Sequence, residues 1–283
     1  MITKNNSSKT NNRENILLTY KFNDSSYIST KHSWHLVDPS PWPLLSAFGA
    51  FTITFGLVLF MHNFNYGDKL LFCGFVILIY AIYMWWRDVI REATLEEQHT
   101  FSVQRSLRLG MLLFIVSEIM FFFAFFWAFF HSSLSPTFNI GSVWPPEAIE
   151  IISSSGIPLT NTFFLLSSGV TVTWAHHAII SRAKKHAIIA LLWTLVLAVM
   201  FTGLQALEYI EAPFTMADSV YGSCFYITTG FHGFHVFIGT CFLLISFIRI
   251  IFNHFTNLHH FGFEAGAWYW HFVGATDKKF IKK

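Results

Sequence analysis

Charge is scarce in this chain of 283 residues: only 12% are Asp, Glu, Lys or Arg, against about a quarter in a soluble globular domain. With 53% hydrophobic residues, so few charges cannot cover the apolar surface in water, and a soluble protein is excluded. Cysteine is sparse too. Cys73, Cys224 and Cys241 all fall inside apolar runs, form no CxxC pair and read as small buried hydrophobes. No basic face is present either: the formal net charge of +2 is spread over separate loops, so nucleic acid is not a partner. The first 34 residues hold no continuous apolar core, which excludes a secretory signal peptide. Glu14 and Asp24 count against a cleavable mitochondrial presequence, since such segments avoid acids. Residues 1–34 are expected to form a disordered polar tail.

Apolar runs fill the remainder. Leu44–Met61, Leu70–Trp86, Leu109–Phe130, Thr160–Ile180, Ala187–Leu207 and Gly222–Ile248 each hold about 17 to 27 residues, enough for a helix to cross a bilayer with some tilt. The alternating ten-residue segments of a membrane barrel are not found. A seventh run, Phe261–Val273, contains Glu264 and His271 and is too short to span alone. The expected fold is an all-α polytopic membrane protein with helices near 42–62, 68–90, 105–131, 158–182, 186–209 and 219–252, and a truncated seventh near 260–273. A basic tail follows over 274–283. Phe alone accounts for 34 residues and, like the plentiful Ile, Asn and Lys, is favoured by AT-rich codons, which suits an organelle genome.

Basic residues set the orientation. Lys4, Lys9, Arg13, Lys21 and Lys31 precede the first span. Arg87, Arg91, Arg105 and Arg108 follow the second, Arg182, Lys184 and Lys185 the fourth, and Arg249 closes the sixth. The opposite loops carry Lys69 against Asp68, Glu147, Glu150, Glu208, Glu211 and Asp218. The N-terminus is therefore expected on the inner side. Lys278, Lys279, Lys282 and Lys283 would land on the acidic side if a seventh helix crossed, so six full crossings are expected.

Few polar residues sit inside the spans. Glu118 lies mid-span, where a carboxylate costs several kcal/mol unless neutralised or paired. It reads either as a protonated acid bonded to a neighbouring helix or as part of a proton relay. His232 and His235 are three apart and share a helix face in mid-span, with Glu118 the obvious partner. The histidine clusters, His176-His177, His232-x-x-His235, His254 and His259-His260, do not match the boxes of a membrane di-iron oxygenase. No metal site is expected. Trp85-Trp86-Arg87-Asp88-Val89-Ile90-Arg91-Glu92 places aromatics at headgroup level and arginines just beyond, which suits either lipid phosphates or a generic positive flank.

Several strings occur together and in order: His35-Leu-Val-Asp-Pro-Ser-Pro-Trp-Pro43, Trp85–Glu92, Ser117-Glu118 followed by Phe126-Trp-Ala-Phe-Phe-His-Ser-Ser133, Trp144-Pro-Pro146, Phe231–Val236, and His259-His-Phe-Gly-Phe-Glu264 with Trp268-Tyr-Trp-His-Phe272. They resemble cytochrome c oxidase subunit III of the mitochondrial type over about residues 35–273. The resemblance implies a core subunit of the respiratory oxidase in the mitochondrial inner membrane, N-terminus on the matrix side. Two helices would separate from five by a V-shaped cleft holding phospholipids. Trp86, Arg91, Arg249, His259 and Trp268 would be lipid contacts, and Glu118 the family's buried carboxylate with His232 and His235 beside it. Haem a and copper would reside in partner subunits, and the partners would be subunits I and II and small accessory subunits. The family's subunit III stabilises subunit I and is linked to proton uptake during turnover.

Two departures stand out. Gly274-Ala-Thr-Asp-Lys-Lys-Phe-Ile-Lys-Lys283 replaces the long apolar stretch that completes the family's seventh helix, so the end of that helix is expected either to be missing or to be completed by a separate polypeptide. Gln98 stands where the family has the first of two histidines before Thr100, which weakens a surface proton-collecting role there. The rival from another class is a stand-alone transporter or proton channel using Glu118, His232 and His235. Transporters commonly carry paired repeats with broken helices, and none is found. A quinol oxidase's corresponding subunit is a nearer alternative.

Overall fold

The computed structural model of the chain describes residues 33–147 and 149–277. The tail expected over 1–34 lies outside the described residues up to residue 32, as does the basic C-terminal segment from residue 278 onward. Among the described residues the chain is helical and has no strand. The helices are α1 (Trp42–Met61), α2 (Gly67–Thr94), α3 (Phe101–Leu134), α4 (Ile157–Ile180), α5 (Lys184–Glu211), α6 (Val220–Ile251) and α7 (Phe261–Asp277), with a 3₁₀ turn at Phe138–Ile140. The first six are long and apolar enough to cross a membrane. The chain divides into two compact units, one running to Val103 and the other from Gln104.

In the first unit Pro41 and Pro43 open α1, where a missing N–H costs nothing because the N–H groups of the first turn have no intrahelical acceptor. Asn63 and Tyr66, both with φ near +60° (57° and 68°), turn the chain back into α2. The two helices then pack through small residues: Gly49, Thr52 and Gly56 on α1 face Gly67, Gly74 and Ala81 on α2. A Cβ on Gly56 would lie 2.6 Å from the Leu71 backbone nitrogen, and one on Gly67 would lie 2.5 Å from that of Phe60. Backbone meets backbone here, the way membrane helices associate when lipid removes the hydrophobic drive between them. Phe48, Phe51, Phe55, Phe72 and Ile79 point away from the seam and are exposed, as lipid-facing side chains would be. The stretch before α1 is tied to the end of α2. Trp42 Nε1 donates to Asp88 Oδ2 at 2.6 Å, His35 lies 3.7 Å from Glu92, and Thr100 donates to the Ser33 carbonyl.

The second unit carries the core. Leu165, Val172 and Ala175 of α4, Ala190, Leu191, Ala198 and Phe201 of α5, Val236 and Leu243 of α6, and Phe263, Trp270 and Val273 of α7 form one buried cluster. Helix α7 is the most enclosed element. Trp270, 1% exposed, donates to Ser168 Oγ at 2.9 Å and lies against Gly239, where a Cβ would come within 2.9 Å of the indole. Hydroxyl pairs close other helix contacts, Thr171 with Thr194 at 2.8 Å and Tyr209 with Thr229 at 2.6 Å, so buried donors are satisfied away from water. The seventh helix runs to Asp277, past the end near 273 that the apolar run suggests, because Gly274, Ala275 and Thr276 are small and Thr276 Oγ1 bonds back to the Val273 carbonyl. At 17 residues its length is about 25 Å, short of the roughly 30 Å hydrocarbon core.

Candidate functional site

Glu118 stands midway along α3, and its Oε2 lies 2.7 Å from Nε2 of His235 on α6. Both side chains are largely withdrawn, 20% and 10% exposed. His235 Nδ1 is 2.6 Å from the carbonyl of Phe231, one turn back in its own helix. Rings enclose the pair: Phe122 edge-on to the imidazole at 5.0 Å, Tyr269 stacked at 6.2 Å, and Phe121 at 6.1 Å. His232 looks elsewhere. It is 2% exposed, its Nε2 lies 3.2 Å from the Val273 carbonyl of α7, and its ring meets Phe201 of α5 edge-on. Spacing of three puts the two histidines on one broad face, but a helix advances about 300° over three residues, enough to send the rings to different neighbours.

The lipid-contact candidates fall on both units. On the first, Trp86 is exposed, and Arg91, 67% exposed at the side chain, lies 3.3 Å from Glu96. On the second, the Arg249 guanidinium lies over the Phe255 ring at 4.3 Å, and its Nε is buried without a hydrogen-bond partner. His254, in the loop after α6, is held below the usual imidazole range by burial and then by the Arg249 charge, so the positive charge of that pair rests on Arg249 near neutral pH. His259 Nδ1 meets the Gln104 amide, and Trp268 is half-buried.

A further group is one that sequence reading missed. Arg108 Nε donates to Glu264 Oε2 at 2.7 Å and its terminal nitrogen reaches Oε1 at 3.3 Å, joining the start of α3 to the start of α7. His260 Nε2 lies 3.2 Å from the same Oε1, and the His176 ring of α4 meets the His260 ring at 5.4 Å. One ligating atom from each of His176, His260 and Glu264 lies within 4.8 Å of the others. The spacing of His260 and Glu264, one helical turn, was the available signal; nothing in sequence distance joins His176 to them.

Taken together, these features define a class: a polytopic α-helical membrane protein whose mid-span polar groups are closed on one another between helices. Comparison with known proteins makes the class specific. A family model described as Cytochrome c oxidase subunit III matches residues 32–276. A relative named Cytochrome c oxidase subunit 3 from Marchantia polymorpha is 60% identical over 87% of this chain and 93% of the relative. Those of the same name from Pylaiella littoralis and Arabidopsis thaliana are 62% and 58% identical, over 86% and 87% of this chain and 89% and 92% of the relatives. The chain belongs to the cytochrome c oxidase subunit III family. It is a core subunit of complex IV, part of a larger assembly and a multi-pass protein of the inner membrane. The reading as a stand-alone transporter or proton channel is not favoured.

Proposed function

We propose that this chain is a non-catalytic subunit: it braces subunit I, holds phospholipids and supports proton uptake, while haem a and copper reside in partner subunits. The N-terminus faces the matrix, as the basic loops after even-numbered spans favour. The partners are subunits I and II and small accessory subunits.

The observation that carries the lipid reading is Arg249. It ends a membrane-spanning helix and pairs with no carboxylate among the described residues. A guanidinium N–H buried without an acceptor is costly, and a lipid phosphate supplies one. Arg91 offers a second, exposed guanidinium on the other unit, on the helix that also carries the exposed Trp86. Lipid headgroups thus engage each unit through its own residues, Trp86 and Arg91 on one and Arg249, His259 and Trp268 on the other. Anionic lipid held this way keeps subunit I's proton-uptake region intact through repeated turnover. In the purified complex, Arg91→Gln with Arg249→Gln should leave the initial rate unchanged and shorten the number of turnovers before inactivation. An unchanged working lifetime would defeat the proposal.

A further inference from the structure

The cluster of His176, His260 and Glu264 has no part in the lipid reading or in the Glu118 pair. We propose that these three side chains form a binding site for a divalent cation of the zinc type, where α4 ends and α7 begins.

The donor arrangement carries the inference. His260 Nδ1 lies 3.1 Å from the Thr256 carbonyl, which only accepts, so Nδ1 carries hydrogen and the neutral ring presents the Nε2 lone pair. That lone pair faces Glu264 Oε1 at 3.2 Å, and a carboxylate oxygen also only accepts. Two acceptors aimed at each other need a proton or a cation between them. His176 brings a third ligating atom within 4.8 Å of theirs, and its Nε2 is buried without a hydrogen-bond partner.

Outer contacts hold these ligands as metal sites require. The backbone carbonyl of Thr256 fixes the His260 tautomer, and Arg108 holds the Glu264 carboxylate in place by donating to Oε2 at 2.7 Å and to Oε1 at 3.3 Å. Two imidazoles and one carboxylate are a zinc-type donor set with room for a fourth, water ligand. Ligands on a tetrahedral ion at about 2.1 Å lie roughly 3.4 Å apart. The observed separations all lie within 4.8 Å, so a modest approach of the ligands would reach that value. The Arg108 charge opposes a cation, so the site binds more weakly than a closed structural zinc site. Because Zn²⁺ is redox-inert, its presence leaves the chain without electron-transfer chemistry.

The test uses the purified oxidase complex, washed with chelator and then equilibrated with radioactive Zn²⁺ alone. Wild-type complex should retain about one equivalent more zinc than complexes carrying His176→Ala or His260→Ala, all three with the same haem content. Equal zinc retention in wild type and variants overturns the proposal, and the positive centre is then a proton on His260. Should the variants fail to assemble, the zinc X-ray absorption of loaded minus washed wild-type complex decides. A shell with imidazole nitrogens at about 2.0–2.1 Å supports the site, and a shell without imidazole, or no retained zinc, overturns it.

Discussion

The imidazole of His235 has both nitrogens committed, and that fixes the proton count at the centre of the membrane. Phe231 O accepts from Nδ1, so Nε2 is an acceptor if the ring is neutral, and the proton in the 2.7 Å contact then belongs to Glu118. The alternative is an imidazolium facing a carboxylate, two full charges among Phe121, Phe122 and Tyr269. Separated charges in hydrocarbon cost more than a neutral O–H···N bond, so the account places the proton on the carboxyl. Infrared difference spectra of wild type against Glu118→Gln should show loss of a protonated-carboxyl band, and its absence would count against that placement. Removing one partner should also cost more than removing both. His235→Leu alone strands a buried protonated acid without its acceptor, at about 1–3 kcal/mol, whereas Glu118→Leu with His235→Leu is milder. Rates of subunit loss from the detergent-solubilised complex compare the three, and a double variant worse than the single one would sink the coupling. Glu118 was legible in the sequence because a lone acid in a mid-span apolar run requires explanation. Which histidine answers it was not, since His232 and His235 differ only in the direction their rings take from one helix.

At the scale of helices, the contact between α1 and α2 depends on residues that composition does not single out. Gly56, Gly67 and Gly74 sit where a Cβ would come within 2.6, 2.5 and 2.7 Å of backbone nitrogen on the partner helix. Gly110 and Gly203, also helical, have nothing within 4 Å of that position. Gly56→Val should therefore force the two helices apart and lower the yield of assembled oxidase severalfold. Gly110→Ala should be neutral or stabilise by about 1 kcal/mol through helix propensity. Thermal inactivation of both variants separates them, and equal effects would remove the close-packing argument. Hydropathy made the six spans readable, because length and apolar content are properties of a single run. The glycine seam is a property of two runs at once, and a glycine reads alike whether a backbone or open lipid lies beside it. The end of α7 was misjudged for a related reason: Gly274 to Thr276 are only weakly apolar, but buried packing of Val273 and the Thr276 bond carry the helix on. The meeting of His176 with His260 and Glu264 belongs here too, being made by the docking of α4 against α7.

For the whole molecule, the low charge, the six spans and the family match over residues 32–276 agree that this chain works inside the oxidase rather than alone. Its polar groups are spent on joining helices, Glu118 to His235 between α3 and α6, Arg108 to Glu264 between α3 and α7, and Trp270 to Ser168 between α7 and α4. Such pairs join helix to helix, and among the described residues the spans hold no continuous line of acids. The most direct test is purification through this chain in mild detergent, followed by an absorption spectrum and identification of the co-purifying polypeptides. The account predicts an a-type haem spectrum with subunits I and II present. A colourless preparation without those subunits would contradict it.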